Sequence, residues 1–237
     1  MKKHLLTSLA LIILAFSSQA QWQLLPGSGK GYELACDNVY LWTIGMDNGI
    51  YSYNGVNWTQ YPGSGQGYDI CAYNGSPYVI GMDNGIYKGM VSVWKQLPGG
   101  GKGKRIAVDP KGGKVWVIGM DDGIYSYNGT QWVQYPGGGK GIDICVFKGT
   151  PYVIGLDNGI YQGTGSGWQQ LPGGRKGLKI TVDNSNGTIS VIGMDKGIYS
   201  FNGLTWDQAS GNGKGLDICA KYGSIYVIGT DNQFYIH

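Results

Sequence analysis

Lys30, Lys102, Lys140, Lys176 and Lys214 each stand directly before a glycine in a glycine-rich loop, and Gln66 takes the same place in a sixth loop. Asp47, Asp83, Asp121, Asp157, Asp195 and Asp231 each open a tight turn, written Asp-Asn-Gly in its commonest form. Ammonium groups near carboxylates, with backbone amides bared by the glycines, suit sugar hydroxyls or anionic substituents through charge-assisted hydrogen bonds. The aspartates also have a purely structural reading, because Asp-Asn-Gly is what a tight hairpin needs for backbone reasons. The lysines are harder to explain by solubility alone.

Residue types that break bonds are scarce. The two histidines are His4 and His237, so no Ser-His-Asp or Cys-His set can be assembled, and no Cys or His spacing suits zinc. Paired acids such as Asp69 and Asp83 could in principle hydrolyse a glycosidic bond. Every acid recurs along the chain, however, whereas catalysis usually breaks symmetry at one site. The reading is a non-enzymatic chain with no cofactor and no metal.

A repeat must position these groups. Six copies of a phrase that reads Ile-Gly-Met-Asp-Asn-Gly-Ile-Tyr in its fullest form begin at Ile44, Ile80, Ile118, Ile154, Ile192 and Ile228. Their spacings are 36, 38, 36, 38 and 36 residues, so the unit is a 74-residue pair copied three times, the mark of a repeat architecture. The 44 glycines fall in turns between short runs of Ile, Val, Tyr and Trp, which are strand formers.

In the first unit the strands are predicted at Tyr32 to Cys36, Tyr40 to Met46, Ile50 to Tyr53 and Trp58 to Tyr61. Four antiparallel strands in about 36 residues make one propeller blade. The sixth unit stops at its third strand, while Trp22 to Pro26 matches the missing fourth one. The expected fold is all-β: a six-bladed β-propeller over residues 21–237, with four-stranded antiparallel blades, closed by the N-terminal strand completing the last blade. An open solenoid of the same hairpins is the alternative.

Residues 1–20 read as a secretory signal peptide, with Lys2 and Lys3, an apolar core and a small-x-small ending at Ser18-Gln19-Ala20. The expected product is secreted or periplasmic, begins at Gln21 and does not insert in a membrane. Loss of those two lysines leaves 16 basic against 15 acidic residues, a net charge of +1, which disfavours nucleic acid as a partner.

Over the whole expected mature chain these residues resemble the tectonin lectins, whose repeats run Trp, a glycine-containing loop, an Ile-rich strand, a Val-Trp-Gly-like strand, a turn and Ile-Tyr. The matching stretches of one unit are Trp58 to Gly63, Asp69-Ile70, Val79-Ile80-Gly81, Asp83 to Tyr87 and Trp94. This chain has Ile-Gly-Met-Asp where the family has Trp-Gly-Val-Asn. The resemblance implies a six-bladed propeller that binds carbohydrate, often microbial surface glycans or lipopolysaccharide, and O-methylated sugars belong among the candidates. The competing class is a protein-interaction scaffold, although repeated, undiversified loops fit a repeated small ligand better. Oligomeric state is not set by the sequence.

Trp22, Trp58, Trp94, Trp132, Trp168 and Trp206 open the fourth strands, where packing between blades is favoured over stacking on sugar. Tyr51, Tyr87, Tyr125, Tyr161 and Tyr199 are expected to pack between blades with a bonded hydroxyl. Cys71, Cys145 and Cys219 hold one strand-one position in alternate blades, too far apart to pair. Cys36 is shifted by one residue and points to the opposite strand face, so four buried free thiols are expected.

Overall fold

The computed structural model describes residues 21–27 and 29–237, and the signal-peptide reading of residues 1–20 lies outside them. The described residues form six four-stranded antiparallel sheets. Strand β1 is Gln23–Leu24; blade 1 follows with β2 (Gly31–Cys36), β3 (Leu41–Gly45), β4 (Ile50–Tyr53) and β5 (Trp58–Gln60). Blades 2 to 5 repeat the plan as β6–β9 in residues 67–96, β10–β13 in 103–134, β14–β17 in 141–170 and β18–β21 in 177–208. Blade 6 has β22 (Gly215–Lys221), β23 (Ser224–Gly229) and β24 (Phe234–Ile236), and its fourth strand is β1. Gln23 pairs with Ile236 and Leu24 with Tyr235, so the first strand closes the ring.

The predicted strands fall within one or two residues of the observed ones. The Asp-Asn-Gly turns join strands two and three because their second residue takes the left-handed conformation, with φ of 64° at Asn48 and 65° at Asn84, which Asn tolerates. Lys196 occupies the same conformation in blade 5 at 63°.

The core lies in the seams between blades. Among the described residues six separate apolar clusters are present, one per seam; Ala35, Trp42, Ile44 and Ile50 of blade 1, for example, pack on Ile70, Ala72 and Val79 of blade 2. The isoleucine that opens the repeated phrase is fully buried in every blade, worth roughly 1.5–3 kcal/mol for each such side chain. The repeated phrase is therefore a packing code before it is anything else.

The alternation between 36 and 38 residues lies in the hairpin between strands one and two. Even blades close it with two residues, Asn74-Gly75 in blade 2, whereas residues 37–40, 109–114 and 183–188 close it in blades 1, 3 and 5. Each longer loop opens with a buried aspartate that reaches the next blade: Asp37 accepts from the amide of Gly75, Asp109 from Gly149 and Asp183 from Gly223, all at 2.6 Å. The other three seams use a different carboxylate. Asp69, Asp143 and Asp217 accept from the amides of Ile106, Ile180 and Leu34 at 2.5 to 2.7 Å. All six seams are stitched, and the two stitch types alternate.

Candidate functional site

The lysine loops and aspartate turns meet on one rim. Gly49 pairs with Gln66, Gly85 with Lys102, Gly123 with Lys140, Gly159 with Lys176 and Gly197 with Lys214. The sixth junction is made by Gly31, which donates to the Asn232 carbonyl. Each lysine loop thus lies against the turn of the preceding blade. Lys176 Nζ donates to the Asp157 carbonyl at 2.7 Å, and Lys214 Nζ to that of Asp195 at 2.8 Å, with the Asp195 carboxylate 3.8 Å away. Gln66 makes the same contact with Asp47 at 3.4 Å. All five lysines and all six aspartates are exposed, a setting in which an ion pair alone contributes about 0–1 kcal/mol.

Each turn aspartate has a double task in its own blade. In Asp47, Oδ1 accepts from the Gly49 amide at 2.9 Å and Oδ2 from the Tyr51 hydroxyl at 2.6 Å. The tyrosine bond recurs between Tyr87 and Asp83, Tyr125 and Asp121, Tyr161 and Asp157, Tyr199 and Asp195, and Tyr235 and Asp231. The Tyr51 hydroxyl and Gly49 amide hold the Asp47 carboxyl below its ordinary value, and the bond to Asp47 raises the Tyr51 phenol. The carboxylates therefore stay anionic at neutral pH.

Lysine, aspartate and aromatic rings come together within single blades. In blade 1, Lys30, Met46, Asp47, Tyr51 and Trp58 line a pocket of about 420 Å³. The blade 6 counterpart, about 290 Å³, is lined by Trp22, Lys214, Thr230, Asp231 and Tyr235. In blade 5, Lys176, Met194, Asp195 and Tyr199 line one of about 430 Å³ together with Arg175. Arg175 stands where the other blades have Gly29, Gly65, Gly101, Gly139 and Gly213. Its guanidinium lies 3.3 Å from the centre of the Tyr199 ring and covers that face.

The glycine at this position answers a steric demand. A Cβ added to Gly65 would meet Trp94 Nε1 at 2.1 Å, and one on Gly139 would meet Trp168 Nε1 at 2.0 Å. In blade 5 the indole is disposed differently: Trp206 Nε1 donates to the Pro172 carbonyl at 3.1 Å. The six indoles pack against the interblade clusters, which favours packing over stacking, although Trp22 and Trp58 also line rim pockets.

An apolar ring that no chemical motif marks also lies on the rim. Met46, Met82, Met120, Leu156 and Met194 precede the turn aspartates and are 48 to 58% exposed, with Thr230 as the sixth member. A large apolar residue beside a turn aspartate in five of six copies was visible in the repeat; its exposure was not.

The central channel holds a second set of charges. Glu33, Asp69, Arg105, Asp143, Lys179 and Asp217 come from successive innermost strands, and all of them but Arg105 line a cavity of about 100 Å³. Lys179 Nζ lies 2.5 Å from Glu33 and 3.2 Å from Asp217, and Arg105 lies 3.8 Å from Asp143. Burial pushes Asp69 and Asp217 up to about 7 against the pull of Arg105 and Lys179. These acids hold the seams together.

No family model matches the chain, and no curated protein matches it. Solved structures do. The chain is similar to YCF48 bound to D1 peptide (TM-score 0.60, 16% identity, covering 87% of this chain and 78% of that one). It is also similar to YCF48 from Cyanidioschyzon merolae (TM-score 0.56, 12% identity, 92% and 98%) and to the WD40 β-propeller domain of Doa1 (TM-score 0.57, 15% identity, 91% and 96%). At these identities the likeness establishes the β-propeller fold and nothing finer.

Proposed function

We propose that this chain is an exported, non-catalytic lectin that binds microbial or cell-surface glycans through several rim pockets at once. The observation that carries this reading is the recurrence, blade after blade, of lysine, aspartate, tyrosine and an exposed methionine or leucine around the rim. An ammonium and a carboxylate with free lone pairs suit vicinal hydroxyls or the phosphates of lipopolysaccharide, and a Tyr or Trp ring suits the C–H face of a pyranose. Exposed methionines are flexible and polarizable, so they suit O-methyl or N-acetyl substituents. Several weak equivalent sites gain strength on a repetitive surface through multivalency.

The test is a glycan array with O-methylated sugars, N-acetylhexosamines and bacterial lipopolysaccharides, followed by calorimetry on any hit. Saturable binding at more than one site per chain supports the lectin. A silent array from folded protein would sink it. A peptide-binding rim is the second reading, favoured by the same apolar ring and by the similarity to YCF48, which was solved with a bound D1 peptide.

A further inference from the structure

We infer that Cys36 and Cys219 form a disulfide that locks blade 6 to blade 1. The inference concerns the seam beside the non-covalent closure of β1 on β24 and is independent of what the rim binds.

The register of neighbouring blades places the two thiols together. Innermost strands β2 and β22 face each other across this seam, and the Leu34 amide donates to Asp217 Oδ2 at 2.5 Å. Two residues further along each strand, on the same strand faces, stand Cys36 and Cys219. Both belong to the apolar cluster of this seam, with Leu34, Leu41, Tyr53, Ile228 and Phe234. The Cys219 thiol is raised first by burial and then by its neighbour Cys36.

The equivalent seams lack a partner thiol. The Ile106 amide meets Asp69, and the next pair is Val108 with Cys71, packed in one cluster. The Ile180 amide meets Asp143, and the next pair is Val182 with Cys145. The one-residue shift of Cys36, which takes it out of line with the other three cysteines, is what turns it toward Cys219. The structure has four free thiols, as expected, but Cys36 is only half-buried, and its neighbour across the seam is Cys219.

All four sulfurs are unbridged in the described structure, so bridging needs an oxidant, namely a small-molecule or protein disulfide. Cys36 is half-buried and Cys219 is buried. The more accessible Cys36 thiolate attacks the donor disulfide and releases one thiol. Cys219 then attacks the Cys36 sulfur and releases the second, each leaving thiolate taking up one proton. The two cysteines are oxidised and the donor disulfide is reduced. Such chemistry persists in an oxidising compartment, in line with the expected export.

The test uses the chain expressed without its first twenty residues, oxidised with glutathione disulfide, unfolded in guanidinium and alkylated. The expected result is two alkylated thiols, Cys71 and Cys145, one linked peptide pair containing Cys36 and Cys219, and a melting temperature that falls by several degrees on reduction. Cys36→Val places the residue found at positions 108 and 182, so it should fold, and its melting temperature should not respond to reductant. Four alkylated thiols in the oxidised sample, or glutathione retained on Cys36 without a Cys219 link, would overturn the inference.

Discussion

Gly101 and Arg175 occupy the same place in two blades, and they show how one side chain decides whether a rim pocket is open. A Cβ on Gly101 would meet Trp132 Nε1 at 2.3 Å, so Gly101→Ala should lower stability by about 1–3 kcal/mol through overpacking, read as a lower denaturation midpoint. Arg175 caps the Tyr199 ring. If the rim pockets bind sugar, Arg175→Gly should raise the calorimetric stoichiometry by one site, and unchanged stoichiometry would show that this face is not used. Asp83 holds both the Gly85 amide and the Tyr87 hydroxyl. Asp83→Ala should therefore cost about 1 kcal/mol in a chemical denaturation series, even in the absence of ligand. The lysines and turn aspartates were legible as a repeated polar pair. A hairpin role for the aspartates and a bonded hydroxyl for the tyrosines were legible too; the partners in the cross-blade cap and the tyrosine clasp were not, because they are backbone carbonyls and hydroxyls whose direction no motif specifies.

At the scale of elements, the strands and turns followed from alternation and turn chemistry, while the stitches between blades did not. Asp69 sits between Glu33, Arg105 and, across the channel, Asp143 and Lys179, and it accepts from the Ile106 amide. Its folded value of about 7 lies above the ordinary carboxylate value of about 3.9. The folded state therefore binds more protons between those two values, and stability must fall as pH rises through that window. Asp69→Asn keeps an acceptor oxygen for Ile106 and should remove part of this slope: the melting temperature of the wild type should drop more from pH 5 to pH 8 than that of the variant. Equal slopes would show that Asp69 is ionised throughout. Asp183 behaves in the opposite sense. Burial works against its charge, but donors from Ser185 and Gly223 keep it below the ordinary value, so its contribution is present at neutral pH and is lost in acid.

For the whole molecule, closure by β1 is a matter of two paired residues on an exposed strand, together with Trp22 packed on the blade 6 seam. Removing residues 1–25 should expose the edge of β24, lower the melting temperature and produce self-association in light scattering; a monomer of unchanged stability would show that closure is dispensable. If the rim pockets bind sugar, the ring arrangement sets their valency, since five of the six blades present a lysine and all six present a turn aspartate on one rim.

The sequence by itself determined the repeat, its blade count, the strand order and the split last blade. Each of these rests on local periodicity, turn residues or the comparison of one copy with the next. Only the tertiary structure decided which residues meet across a seam. Cys36 with Cys219, Asp217 with Leu34, and Arg175 over Tyr199 depend on how strands are rotated and shifted when blades pack. That placement is set by the sum of many side-chain contacts around a closed ring, and no short stretch of sequence encodes it.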